Sequence, residues 1–156
     1  AALVERYGPR LLAVARRLLH SETDAEDAVQ RAFLQCYLRA TGYRPEWAVS
    51  TWLYRILTNT CVDELRRRAV RRDHRAALDG WPPPANGGPS ARDLDVRRAL
   101  ARVPREARIL LTLRYADGLT YAELARIRGI SINTVKSQLA RGKAILRAAL
   151  APGDDA

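Results

Sequence analysis

Side chains able to do covalent or acid–base chemistry are few and scattered in this sequence. His20 and His74 stand apart from any nucleophile, and Cys36 and Cys61 lack metal-ligand spacing. Both cysteines sit in apolar, helix-like surroundings that suit small buried hydrophobes, and a redox pair stays open if the fold brings them together. No catalytic role, metal or cofactor is expected. The chemistry the chain concentrates is that of reading a polyanion. Asn133, Ser137, Ala140 and Arg141, with Lys136 on the flank, share one side of a helical repeat. These short polar and cationic groups are of the kind that meet base edges and phosphates. A second stretch, Ser50-Thr51-Trp52-Leu53-Tyr54-Arg55 through Arg66-Arg67-Arg68, sets aromatic beside basic groups, which suits stacked bases and paired phosphates of a single strand. Asn59 within it is a poor helix former that either satisfies a buried neighbour or contacts something outside. Asp24, Glu26 and Asp27 either complement a helix dipole or form an acidic patch for a basic partner, with Ala28, Val29, Phe33 and Leu34 as apolar surface nearby.

The elements that must hold these groups read as helices throughout, with no sustained strand-like alternation. Leu11, Leu12, Ala15, Leu18 and Leu19 recur at helical spacing. A second helix is expected from Thr23 to Arg39, with Thr23 and Glu26 as a capping box, broken by Thr41–Pro45. A third is expected from about Ser50 to Arg68 on the stripe Leu53, Ile56, Leu57, Cys61 and Leu65. The Pro- and Gly-rich run Trp81–Ser90 cannot hold a helix, so residues 73–92 read as a flexible linker. Helices at Leu94–Arg102 and Arg105–Ala116 follow, then a turn at Asp117-Gly118. Thr120-Tyr121-Ala122-Glu123 is a second capping box, Gly129 ends that short helix, and Ser131 caps the next. Helix, Gly turn and helix together spell a helix-turn-helix. Val135, Leu139, Gly142 and Leu146 form its inward stripe, and Gly142 implies close approach of a neighbour.

Charge agrees with a polyanionic partner. The 156 residues hold 27 Lys and Arg against 17 Asp and Glu, a net +10. Residues 1–72 carry +5 and residues 93–151 carry +7, with a neutral stretch between them and two acidic groups in the tail. Two basic blocks around a neutral spacer suit contact at two places. No apolar run approaches a membrane span and no signal peptide is visible, so no membrane insertion and a cytoplasmic location are expected. The absence of Met suggests a start further upstream.

Three motifs then resemble one family. Asp24-Ala25-Glu26-Asp27-Ala28-Val29-Gln30-Arg31-Ala32-Phe33 looks like conserved region two of bacterial sigma factors of the extracytoplasmic-function group. Thr51-Trp52-Leu53-Tyr54-Arg55-Ile56-Leu57-Thr58-Asn59-Thr60 with Asp63–Arg68 looks like that group's −10 helix. Gly118–Ala125 with Asn133–Lys143 looks like its region four. The resemblance implies an all-α protein of two small domains: a region 2 bundle over residues 1–72 and a region 4 helix-turn-helix over 93–151, joined by the linker and followed by a tail at 152–156. It implies a non-enzymatic subunit that binds core RNA polymerase, on the clamp helices of the largest subunit and the flap of the second-largest, and directs it to promoters. Asp24, Glu26, Asp27, Gln30 and Phe33 would face the polymerase. Tyr43, Arg44, Trp52, Arg55, Asn59, Asp63, Arg66 and Arg67 would face the −10 element, with Asn59 at the base-reading position and the Arg run from Arg66 on phosphates. Asn133, Thr134, Lys136, Ser137, Gln138, Arg141 and Lys143 would face the −35 groove. An anti-sigma factor is implied as a further partner, which could hold the chain at the membrane. The family usually has Gly where Asn133 stands and Arg where Gln138 stands, and the loop here is unusual in Pro45 and Trp47.

Two other readings fit parts of the pattern. An operator-binding regulator needs only the C-terminal motif and leaves the aromatic–basic helix without a task. A nucleic-acid-modifying enzyme needs clustered catalytic residues that the sequence does not supply.

Overall fold

Leu11, Val14, Ala15, Leu18 and Leu19 bury one side of the first helix, α1 (Ala2–Leu19), in the computed structural model of the chain, which describes residues 2–43, 48–74 and 91–151. Pro9 lies inside α1 and removes one backbone donor, on an exposed face where solvent reaches the freed carbonyl. His20 closes the helix in the left-handed region (φ 52°), its N–H donating to the Arg16 carbonyl at 2.8 Å.

That turn delivers Ser21 in extended backbone, so Ser21 rather than Thr23 caps the second helix, α2 (Glu22–Leu38), its Oγ accepting from the Asp24 amide at 3.2 Å. Thr23 lies inside the first turn, and the capping box expected there with Glu26 is not formed. The buried side of α2 is made of small groups (Ala25, Ala28, Val29, Ala32 and Cys36), which lets its backbone approach its neighbours closely. A 3-10 turn at Ala40–Gly42 follows.

The third helix, α3, runs from Val49 to His74 and is longer than the sequence pattern suggests. Leu53, Tyr54, Ile56, Leu57, Cys61 and Val62 are buried. Thr58 and Thr60 are buried as well, because their hydroxyls donate back to the carbonyls of Arg55 (3.1 Å) and Ile56 (2.9 Å). The expected linker loses both ends to helix: 73–74 close α3, and 91–92 open the next. Residues 75–90, its Pro- and Gly-rich part, lie outside the described residues.

Four further helices follow: α4 (Ala91–Arg102), α5 (Arg105–Asp117), α6 (Tyr121–Arg128) and α7 (Ile132–Leu150). Pro104 stands at the N-cap of α5, and Gly118 ends it in the left-handed region (φ 64°). The expected box at α6 is complete, Thr120 Oγ1 accepting from the Glu123 amide (3.1 Å) while Glu123 accepts from the Thr120 amide (3.0 Å). Gly129 (φ 66°) ends α6 and Ser131 caps α7. The chain divides into two compact units. In the first, α1, α2 and α3 pack mutually; in the second, α7 packs on both α4 and α5. The described residues contain helices and no strand.

Gly142 is buried, and a Cβ added there would lie 2.8 Å from Leu111 Cδ1 and 3.4 Å from Ala107 Cβ on α5. The stripe therefore needs a missing side chain, as its spacing implied. Gly142→Leu should destabilise the second unit by about 1–3 kcal/mol through overpacking, read as a fall in the denaturant midpoint at unchanged slope. An unshifted midpoint would mean that α5 gives way freely.

Candidate nucleic-acid interface

The solvent-facing stripe of α3 is built by helical spacing alone. Trp52, Arg55, Asn59, Asp63 and Arg66 follow one another at steps of three or four, and Arg67 lies beside Arg66. Asn59, Asp63, Arg66 and Arg67 are exposed, while Trp52 and Arg55 are half-buried. Asn59 thus points outward rather than into the core. At the N-terminal end of the stripe, Tyr43 brings its ring to Trp52, centroids 5.2 Å apart and planes tilted by 58°. The arrangement offers two aromatic faces, an amide and two free-standing guanidiniums along one line, which suits stacking and phosphate pairing. Arg44, expected on the same surface, lies outside the described residues, as do Pro45 and Trp47.

Arg68 departs from the run it ends. Its side chain is only 15% exposed and turns inward. One nitrogen donates to the Leu19 carbonyl at 2.6 Å, another to Asp24 Oδ2 at 2.5 Å, and Nε lies 3.6 Å from Glu64. Buried Glu64 also faces Arg71 at 3.1 Å and Arg31 at 3.9 Å. These three cations surround one buried carboxylate and offset part of the cost of taking it out of water.

On α7 the exposed arc holds Asn133, Thr134, Lys136, Ser137, Ala140 and Arg141. Val135, Leu139 and Gly142 are buried opposite, so packing orients the polar arc outward. Thr134 is partly committed to the cap: its amide donates to Ser131 Oγ (3.1 Å) and the two hydroxyls lie 2.9 Å apart. Gln138 and Lys143 occupy the two margins of the arc and are half-buried. Gln138 Oε1 is buried without a hydrogen-bond partner. Lys143 Nζ sits over the Tyr115 ring, 5.4 Å from its centroid, so that cation is directed toward α5. Behind the turn that introduces α6, Arg114 donates to the Leu119 carbonyl (2.7 Å) and stacks on Tyr121, holding the first helix of the pair in place.

The acidic start of α2 separates by partner. Glu26 and Gln30 are exposed, Asp27 pairs with Arg31 at 3.0 Å, Asp24 is tied to Arg68, and Phe33 is half-buried. The same helix exposes Leu34 (58%), Tyr37 (80%) and Leu38 (69%). Tyr37 and Leu38 are absent from the residues singled out in the sequence. The signal was present: large apolar side chains stand off the stripe Ala25, Ala28, Val29, Ala32 and Cys36 that the core takes up.

Cys36 and Cys61 are both buried and free. Burial pushes the Cys36 thiol up to about 11 and the Cys61 thiol up to about 12. The reactive thiolate is therefore scarce at neutral pH. Alkylation of the folded chain at pH 7–8 should be slow at both positions and rapid in denaturant; fast labelling of the native protein would contradict this burial. Among the described residues, no cluster of His, Cys, Asp and Glu could hold a metal ion, and no helix is long and apolar enough to cross a membrane.

Sigma-70 region 2 matches residues 3–71, and Sigma-70, region 4 matches residues 93–146. The chain is 36% identical to the ECF RNA polymerase sigma factor SigM of Mycobacterium tuberculosis over 145 residues, covering 92% of this chain and 73% of that one. It is 26% identical to the ECF RNA polymerase sigma factor SigW of Bacillus subtilis, covering 94% and 86%. Among solved structures, CnrH in complex with the cytosolic domain of CnrY is similar at a TM-score of 0.69 and 26% identity, over 96% of this chain and 85% of that one. The sigma factor RpoE in complex with the anti-sigma factor NepR from Bartonella quintana shares the fold at a TM-score of 0.73 and 24% identity, over 94% and 93%.

Proposed function

This chain belongs to the ECF group of sigma-70 factors, and we propose that it binds core RNA polymerase and directs promoter-specific initiation by reading two elements. The first unit, which α3 closes at His74, takes the −10 element as an opened strand along the α3 stripe. The second, α4 to α7, sets α7 in the major groove of the −35 element, and residues 75–90 connect the two. The observation that carries this reading is the outward stripe Trp52, Arg55, Asn59 and Arg66 in the same chain as a helix-turn-helix. A duplex-only regulator would have no use for the stripe.

On this reading Asn59 accepts and donates to an unstacked base, and the Tyr43–Trp52 pair lies beside it. Arg66 and Arg67 hold phosphates. Extruding a base costs about a few kcal/mol, which these contacts must offset. On α7, Arg141, Ser137, Asn133 and Lys136 meet base edges and backbone. The polymerase clamp docks on Asp24, Glu26, Asp27, Gln30 and Phe33 together with Leu34, Tyr37 and Leu38, while the flap receives the second unit. Polymerase fixes the spacing of two individually weak readers, so the second contact becomes intramolecular. The chain itself makes and breaks no bond. An anti-sigma factor that covers these surfaces holds it inactive in the cytoplasm; the similar sigma factor RpoE from Bartonella quintana is itself found in complex with the anti-sigma factor NepR.

Run-off transcription with purified core and this chain tests the proposal. A product that depends on both elements of a matched promoter library is expected. No product from any member would refute it, and a product indifferent to the −10 sequence would leave only the α7 half standing.

A further inference from the structure

We propose that Arg68 is a positioning residue for polymerase docking, holding Asp24 at the start of α2 in register with the DNA-reading helix α3, and that it takes no phosphate. The inference rests on the reading of the α2 acids as a docking surface. All three guanidinium nitrogens of Arg68 are engaged from within the first unit. One reaches the Leu19 carbonyl at the end of α1, one the Asp24 carboxylate at the start of α2, and Nε faces Glu64 on α3 itself. A guanidinium is a rigid planar fork, so fixing three directions fixes the relative placement of the three groups. Its neighbours Arg66 and Arg67, exposed on the same helix, show what a phosphate-facing position looks like here.

The Asp24 carboxylate bound by Arg68 keeps 39% of its side chain exposed, so it is held by one oxygen and still offered outward. Its backbone amide is held as well, by Ser21 Oγ at the cap. The docking acid is therefore pre-organised before any partner arrives, and its position is referred to α3 through one side chain. Pre-organisation of this kind strengthens binding by removing ordering cost at the moment of docking. Lysine preserves the charge but has no fork, so it separates position from charge.

The test measures the affinity of the full chain for core polymerase in Arg68→Lys, Asp24→Asn and the double variant. Glu26→Gln and Asp27→Asn report on the docking surface, and the salt dependence of promoter binding is measured with holoenzyme. Arg68→Lys is expected to weaken core binding about three- to tenfold, with little further loss once Asp24 is Asn, because the two residues act as a unit. The salt slope of promoter binding should stay unchanged. Additive losses, or core affinity unchanged in Arg68→Lys, would overturn the proposal. So would a salt slope reduced by about one, the mark of a lost phosphate contact. Melting temperatures recorded in parallel separate folding from docking: a lowered midpoint with wild-type core affinity well below it makes Arg68 merely structural and refutes the proposal. If Asp24→Asn is silent while Glu26→Gln or Asp27→Asn weakens core binding, docking stands and the role of Arg68 falls. If all three acid variants are silent, the docking reading fails first.

Discussion

Replacing Leu34 and Leu38 together by Asp is expected to weaken binding to core polymerase by about 2–4 kcal/mol, roughly 30- to 1,000-fold, the largest effect in the molecule. The reason lies in how α2 uses its faces. Its core-facing side is filled by Ala25, Ala28, Val29, Ala32 and Cys36, so the large side chains are left outside. Leu34 and Leu38 stand one helical turn apart, and exposed Tyr37 adjoins them. Covering such a cluster releases its apolar surface from water, about 1.5–3 kcal/mol for each Leu fully buried. Introduced carboxylates would have to be desolvated instead. Because the two positions are already exposed, folding stability should change by less than about 0.5 kcal/mol at each. Titration of labelled core with the variant, beside its thermal melt, checks both halves. Core affinity within twofold of wild type would remove this face from the docking surface.

Arg141→Ala is expected to cost about 1–3 kcal/mol of discrimination at the −35 element if the guanidinium makes a bidentate base contact. Arg141 is exposed on the arc of α7 that packing leaves outward, next to Ser137 and Thr134 on the helical wheel. Binding of holoenzyme to matched and scrambled −35 sequences, at fixed salt, separates two roles. Loss confined to the matched sequence marks a base contact. Equal loss on both, with a shallower salt dependence, marks a phosphate contact and would exclude Arg141 from base reading. Lys143 provides an internal comparison. Its ammonium lies over Tyr115, so Lys143→Ala should affect specificity less than Arg141→Ala.

Much of the second unit was legible because its signals are short. The box Thr120–Glu123, the left-handed glycines Gly118 and Gly129 and the Ser131 cap each act within a few residues, and each stands where the pattern put it. The outward arc of α7 follows from the stripe Val135, Leu139 and Gly142 by helical geometry. At α2 the local signals compete. Ser21 with Asp24 and Thr23 with Glu26 are both sensible caps, offset by two residues. The turn at His20 decides between them, because it presents Ser21 in extended backbone.

The same division holds for the interface. Residue type and spacing alone determined that the chain is helical, carries a helix-turn-helix and has a polar stripe on α3, since periodicity and capping are properties of neighbours along the chain. Only the tertiary structure decided which members of that stripe are free. Arg66, Arg67 and Arg68 are identical in kind and adjacent in sequence, yet Arg68 turns inward, because the end of α1 and the start of α2 put a carbonyl and a carboxylate within its reach. It likewise decided that Leu34, Tyr37 and Leu38 stay in solvent, because the side of α2 that meets the core is the one carrying Ala25, Ala28, Val29, Ala32 and Cys36. Distances between groups far apart in the chain are set by packing, and sequence spacing carries no record of them.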